Sequence, residues 1–343
     1  MKRKFLAIVI IVVVVAAAAG LGVYELAILP RSQTFLVNYS VSFIMLPRFA
    51  PLFVAQDKGY FSQQGLNVKI LPASGQPGAL QDLVSGTFTV TYCDAFSAAV
   101  AIAKGAQIKY VTTIYSSTPM VAFAKPSIKT TKQLEGTTWA QSGPGDLNYV
   151  LLPLFAQNAG FNYSSLKIQT VSPNLRISLF LAGKVNATSS FSFSIPQVKA
   201  AMPNATIFNW ADYGIQDQEG LCVSNSLIAQ HPNVVKGIVE ATIKGFYYTL
   251  ANPDSAASIY LKYNPSQNMT QALGEIGVLQ QLDNTSAFRT NGIGWTNTTQ
   301  MNIALNEANQ YGGYNTTLTA SQLYDTSFFP GKLGNLVIGN TTS

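Results

Sequence analysis

Short β-rich runs alternate with amphipathic helical runs along most of the chain, the order that builds an α/β fold with largely parallel sheets. Phe35 to Tyr39 reads as a first strand. A helix follows from about Pro51, a residue suited to a first helical position, to Lys58, with Gly59 placed to end it. Leu66 to Leu71 is a second strand, and Leu80, Leu83 and Val84 mark the apolar face of a helix ending at Gly86. Phe88 to Tyr92, a helix from Ala95 to Lys104 closed by Gly105, and the strand Ile108 to Ile114 extend the unit.

After Pro119 the alternation starts afresh, which predicts a second lobe. Its strands are Met120 to Ala124, Thr137 to Gln141, Leu166 to Val171, Ala187 to Phe193 and Thr206 to Asn209. Its helices are Asp146 to Asn158, Leu175 to Ala182 and a short one around Gln197 to Met202. From the strand Gly220 to Ser224 onward the pattern turns helical, with Val235, Ile238, Val239, Thr242, Ile243 and Phe246 on one face. Asn252-Pro253-Asp254 breaks that helix and is expected to cap the next; beyond Asn264 the pattern is weak.

The two ends of the composition differ. Phe5 to Tyr24 is an uncharged run behind Lys2-Arg3-Lys4, and a helix of that length spans roughly 30 Å, about a bilayer core. The positive flank keeps its start in the cytoplasm, so the chain after about Pro30 is expected outside. The run reads either as an uncleaved anchor or as a signal peptide with a cleavage site among Ala16 to Gly20. Sequons at Asn38, Asn162, Asn186, Asn204, Asn268, Asn284, Asn297, Asn315 and Asn340 fit an exported glycoprotein, as on an archaeal surface, although Asn38 and Asn186 fall in strands.

Cys93 and Cys222 lie far apart in sequence; a disulfide and two buried thiols are both open readings. The net charge of +6 is spread thinly beyond residues 2 to 4, so no basic stripe argues for nucleic acid. Reaction chemistry is not apparent either. His231 stands alone, just before a long helix, and no Cys or His group has metal-ligand spacing. Neither a nucleophile elbow nor a phosphate loop occurs, so no cofactor or metal is expected.

One ordered set of segments is specific. Ala50-Pro51-Leu52-Phe53-Val54-Ala55-Gln56-Asp57-Lys58-Gly59-Tyr60-Phe61 precedes Gly65-Leu66-Asn67-Val68, then Leu83-Val84-Ser85-Gly86, Ala103-Lys104-Gly105 and Leu134-Glu135-Gly136. Leu181-Ala182-Gly183-Lys184-Val185-Asn186-Ala187 and Val235 to Pro253 complete it. In this succession the chain resembles the nitrate/sulfonate/taurine and thiamine-pyrimidine-precursor family of periplasmic binding proteins. It departs from the family at Asn186, where Asp is common, and over its C-terminal third.

The resemblance implies a two-lobed periplasmic-binding-protein type II fold, each lobe a mainly parallel sheet flanked by helices, with two crossing strands near Pro119 and Gly220. Residues 1–30 would be the membrane anchor or signal segment, 31–119 and 220–343 lobe one, and 120–219 lobe two. Ligand would sit between the lobes, beyond the carboxyl ends of the strands, where helix N-termini offer free N–H groups. That places Tyr39, Ser42, Arg48, Asp94, Ser116 and Ser117 on the lobe-one side. On the lobe-two side stand Gln141, Ser142, Gly143 and Asp146 of the Gln141-Ser142-Gly143-Pro144-Gly145-Asp146 loop, with Phe191, Phe193, Trp210 and Tyr213 as stacking rings. Arg48 and Arg176 could each grip an oxyanion.

The function so implied is that of the extracytoplasmic solute-binding component of an ABC importer. It would be a monomer that closes on an organic or oxyanionic small molecule and serves permease and ATPase subunits. A membrane-anchored receptor or adhesin domain is the alternative reading. An enzyme of pyrimidine-precursor synthesis on the same fold is a third, for which the chain lacks a suitable His and a Cys-rich motif.

Overall fold

A computed structural model describes residues 34–41, 43–144 and 146–340. The apolar N-terminal run, Ser42 and Gly145 lie outside the described residues. Among the described residues no helix is long and apolar enough to cross a membrane.

Among the described residues the alternation yields ten strands. They are β1 (Phe35–Ser40), β2 (Leu66–Leu71), β3 (Val90–Asp94), β4 (Ile108–Thr113), β5 (Met120–Ala124), β6 (Thr138–Gln141), β7 (Lys167–Thr170), β8 (Ala187–Phe191), β9 (Thr206–Asn209) and β10 (Glu219–Ser224). Two five-stranded sheets form, in the orders β2-β1-β3-β10-β4 and β7-β6-β8-β5-β9. The chain leaves the first sheet after β4, enters the interior of the second as β5, and returns after β9 into the interior of the first as β10. Each crossing strand runs antiparallel to both neighbours, while β1–β3, β6–β7 and β6–β8 are parallel. Both sheets are therefore mixed: a strand arriving from the other lobe enters from the opposite end.

At the crossing, the N–H groups of Ile114 and Tyr115 both donate to the carbonyl of Glu219, at 2.9 and 3.1 Å. Cys93 and Cys222 form a disulfide between β3 and β10, with Cα atoms 5.9 Å apart, which decides between the two readings left open above. Cys222 lies opposite Thr91 and Cys93 opposite Gly220, so the bond runs diagonally across neighbouring strands.

Side-chain alternation puts the lobe-two core on both faces of its sheet. Met120, Ala122 and Ala124 of β5 face a cluster with Trp139, Phe155 and Trp210, whereas Val121 and Phe123 face Ile177, Phe180 and Val198. In lobe one the Ala50–Asp57 helix buries six of its residues. It packs so closely on the Pro232–Ala251 helix that a Cβ on Gly245 would meet the Pro51 carbonyl at 2.1 Å. Gly59 follows at φ 72, a left-handed conformation costly to residues with a Cβ, and returns the chain so that Phe61 is buried. The best-matched motif is thus largely scaffold.

Several expected elements differ in detail. The third strand starts at Val90, because the Phe88 N–H bonds the Asp82 carbonyl and holds that segment to the preceding helix. The helix expected over residues 146–158 is two, Leu147–Val150 and Leu152–Asn158, parted where Pro153 lacks an N–H to continue the ladder. Asn252 does not cap the following helix: its Nδ2 donates back to the Tyr248 carbonyl. The weakly patterned C-terminal third is helical at Met269–Asp283, Ser286–Asn291 and Thr298–Tyr311. Its pattern is weak because Glu275, Gln280 and Asp283 lie on the buried side of the first of these helices.

Candidate functional site

The carboxyl ends of the parallel strands meet between the sheets. After β1 the chain forms a 3-10 turn, Pro47–Phe49, that presents Arg48. Its guanidinium carbon lies 4.9 Å from the centroid of the Phe49 ring, 5.1 Å from Phe193 and 5.8 Å from Phe191. The first ring belongs to lobe one and the other two to lobe two, so one cation bridges the lobes. Phe191 ends β8 and Phe193 lies in the 3-10 turn Ser192–Ser194 that replaces the last residues of the strand expected there. Tyr115, from the crossing segment, packs on Phe193 at 5.6 Å between ring centroids.

Several buried acids stand around this aromatic seam. Asp94 ends β3 and caps the Ala95–Ala103 helix, accepting the Ser97 N–H at 2.6 Å. Glu219 stands opposite it in register at the start of β10. Asp217 accepts the Phe96 N–H at 3.1 Å, Asp283 the Ser116 N–H at 3.3 Å, and Glu275 the Arg48 N–H at 3.2 Å. Burial raises the carboxyls of Asp94, Asp217, Glu275 and Asp283 above the usual range, and for Asp94 the charge of Asp146 in the other lobe adds to it. Glu219 is pushed up to about 7 by burial, against the pull of Arg48. Glu307, behind Asp217, reaches about 7 for the same first cause.

A carboxyl whose folded pKa exceeds its unfolded value keeps a proton that the unfolded chain releases. The contribution of these two groups to stability is therefore fully present below the unfolded value, 4.5 for Glu219 and Glu307, and is lost as pH rises to about 7. The expected loss is on the order of 2 kcal/mol for the two together after solvent screening. Urea midpoints at pH 5 and pH 7.5 measure it; equal midpoints would refute it.

On the lobe-two side, Gln141 and Ser189 are fully buried and bond each other through both polar atoms of the amide, at 2.7 and 2.9 Å. Asp146 caps the Leu147–Val150 helix and pairs with buried Arg176, Nη1 to Oδ2 3.4 Å. Gly143 is half-buried beside the Thr170 methyl. Arg176 is thus turned to Asp146 and holds the loop.

Of the candidates, the structure gathers Arg48, Asp94, Asp146, Phe191 and Phe193 about one region. Ser116 borders it, its Oγ bonded to the Leu282 carbonyl and to Thr285 Oγ1, and Ser117 is half-buried. Three others are placed elsewhere. Tyr39 is sealed in the lobe-one core with its hydroxyl 3.2 Å from Thr242 Oγ1. Trp210 stacks on Phe155 at 4.8 Å and Tyr213 meets the same ring edge-on at 5.3 Å, so both rings pack the lobe-two core rather than an open rim. Ser42 lies outside the described residues.

Sequence reasoning passed over Tyr92, Asn148, Glu219, Glu275 and Asp283. Each carries a buried or half-buried polar group, and Tyr92 Oη, Tyr115 Oη, Asp283 Oδ2, Ser142 Oγ, Ser192 Oγ and both amide atoms of Asn148 have no partner in the fold. Buried polar atoms are rarely left so; of these, Tyr92, Tyr115 and Asp283 lie near enough to act on one another, and Tyr115 packs on Phe193 of the other lobe. Strand ends alone could have pointed to Glu219, which immediately precedes the crossing strand that had been expected from Gly220.

Comparison with known proteins agrees with this geometry. A family model described as NMT1/THI5 like matches residues 46–256. The riboflavin-binding protein of Chloroflexus aurantiacus is 28% identical over 254 residues, covering 72% of this chain and 70% of that protein. The formylaminopyrimidine-binding protein of Halalkalibacterium halodurans is 23% identical over 223 residues, covering 63% and 67%. The periplasmic aliphatic sulphonate binding protein of Escherichia coli superposes with a TM-score of 0.69 at 13% identity, covering 91% of this chain and 98% of its own, a likeness of fold. The motif-based resemblance and the family model fall on the same stretch of sequence. The chain belongs to the NMT1/THI5-like family and has the build of a solute-binding protein of the ABC-importer type.

Proposed function

We propose that the cleft captures a planar, uncharged or cationic heteroaromatic solute of the flavin or aminopyrimidine class and carries it, outside the membrane, to an importer's permease. The observation that carries this reading is the seam itself: Arg48 held among Phe49, Phe191 and Phe193, with the partnerless hydroxyl of Tyr115 on the ring that packs against Phe193. Aromatic walls favour a flat ligand, and unpaired donors and acceptors supply its orientation. An inorganic anion or a sulfonate suits the site less well, because the carboxyls of Glu219 and Glu275 already stand close to Arg48 and take up part of its charge. The names of the two relatives by sequence, a riboflavin-binding and a formylaminopyrimidine-binding protein, point the same way.

On this reading the protein is a monomeric receptor without catalytic activity, tethered or exported by its N-terminal run, and ligand drives closure by touching both lobes. Differential scanning fluorimetry of the segment from Ser32 onward, with riboflavin, formylaminopyrimidine, taurine, an alkanesulfonate and nitrate, tests it. A ligand bound to the native state at a hundredfold excess over its Kd stabilises by about 2.7 kcal/mol. A shift with a heteroaromatic compound and none with the anions is expected, and Arg48→Ala should abolish it. A shift confined to taurine, sulfonate or nitrate would overturn the ligand class.

A further inference from the structure

Asn148 is the most completely unpartnered side chain among the described residues: it is 0% exposed, and neither Oδ1 nor Nδ2 has a hydrogen-bond partner. It sits in the first turn of the Leu147–Val150 helix, where its own N–H donates to Asp146 Oδ1 at 2.9 Å. That helix follows the carboxyl end of β6 beside β8, and Ser142 Oγ and Ser192 Oγ, from just beyond those two strand ends, are partnerless as well. Asp146 is fixed in turn by Arg176, so the turn that carries Asn148 is anchored at its base. A sealed carboxamide with both functions unused costs stability in the folded protein. An apolar residue of the same size would fill the place at no such cost.

We propose that Asn148 is a specificity-determining residue, whose carboxamide reads a neighbouring donor and acceptor on the edge of a planar heteroaromatic ligand. This rests on the ligand class proposed above. The Oδ1 atom accepts from a ring or amino N–H, and Nδ2 donates to the adjacent carbonyl oxygen or ring nitrogen. A flavin's imide edge and an aminopyrimidine's amino and ring-nitrogen edge share this chemistry. Two coplanar hydrogen bonds made together in a dry site discriminate far more strongly than apolar contact does.

Calorimetric titration of the wild type, Asn148→Leu and Asn148→Asp with riboflavin, 3-methylriboflavin and formylaminopyrimidine tests the assignment. Binding of riboflavin or of formylaminopyrimidine by the wild type is expected, and which one binds names the edge that is read. Asn148→Leu should weaken that binding about 30-fold or more while leaving the ligand-free melting temperature unchanged or higher. Asn148→Asp, which keeps the acceptor and loses the donor, should fall between. If riboflavin is the ligand, methylation at N3 should weaken wild-type binding and add nothing to the loss in Asn148→Leu. Equal affinity of Asn148→Leu and wild type would overturn the role of Asn148 and leave the ligand class standing. A lower ligand-free melting temperature in Asn148→Leu would likewise overturn it, by making the amide structural. Failure of the wild type to bind either compound would overturn the ligand class and this assignment with it.

Discussion

Replacing Cys93 and Cys222 together with serine is expected to lower the unfolding free energy by about 5 kcal/mol, read from denaturant midpoints of the oxidised wild type and the double variant. The bond closes a loop of 129 residues, which contains the whole second sheet and both crossings. Cross-linking so distant a pair removes much of the freedom of the unfolded chain. Both residues are buried, so each serine would also set a hydroxyl into the sheet interior. Unfolding of the wild type under reducing conditions should move its midpoint towards that of the variant. A double variant with the wild-type midpoint would show that the bond contributes nothing.

The second large effect is expected at Gly220. An added Cβ would lie 2.0 Å from the Thr112 carbonyl and 2.2 Å from the Tyr110 ring, contacts no side chain can make without moving backbone. Gly220→Ala should therefore cost about 3 kcal/mol, and larger residues more. Tyr110 and Thr112 belong to β4 and Gly220 to β10, so the damage falls between the returning strand and its neighbour. Thermal unfolding measures it. Gly65→Ala is the comparison: a Cβ there meets nothing within 4 Å, so only its left-handed backbone, φ 69, resists the change. A Gly220→Ala protein no less stable than Gly65→Ala would contradict the packing described.

Much of the fold was legible because most of its rules are local. β2, with its period-2 alternation, and β5 and β9, short apolar runs between turn residues, begin and end where the sequence puts them. Gly59 and Gly86 end helices in the left-handed conformation that such glycines favour. What escaped was set by tertiary contact. The start of β3 depends on a backbone bond from Phe88 to Asp82 that no periodicity records. The Met269–Asp283 helix hides because Glu275 and Asp283 are polar on a buried face, where they accept the N–H groups of Arg48 and Ser116.

The candidate site was legible to the extent that strand ends can be counted. Arg48, Asp94, Asp146, Phe191 and Phe193 follow from the rule that ligands gather beyond the carboxyl ends of strands. Trp210, Tyr213 and Tyr39 meet the same rule and nevertheless pack inward, since strand-end position fixes where a side chain starts and not which neighbours take it up. Asn148 needed coordinates, because being without a partner is a property of surroundings rather than of sequence.

The single carbonyl of Glu219 that accepts both the Ile114 and the Tyr115 N–H ties the outgoing connection to the incoming one. Two separate tethers would let the lobes swing, shear and twist; two tethers stitched at one atom leave chiefly rotation about the stitch. The same residue stands opposite Asp94 in the register of β3 and β10. The chain thus crosses between the sheets twice, and both crossings are held at a single backbone atom.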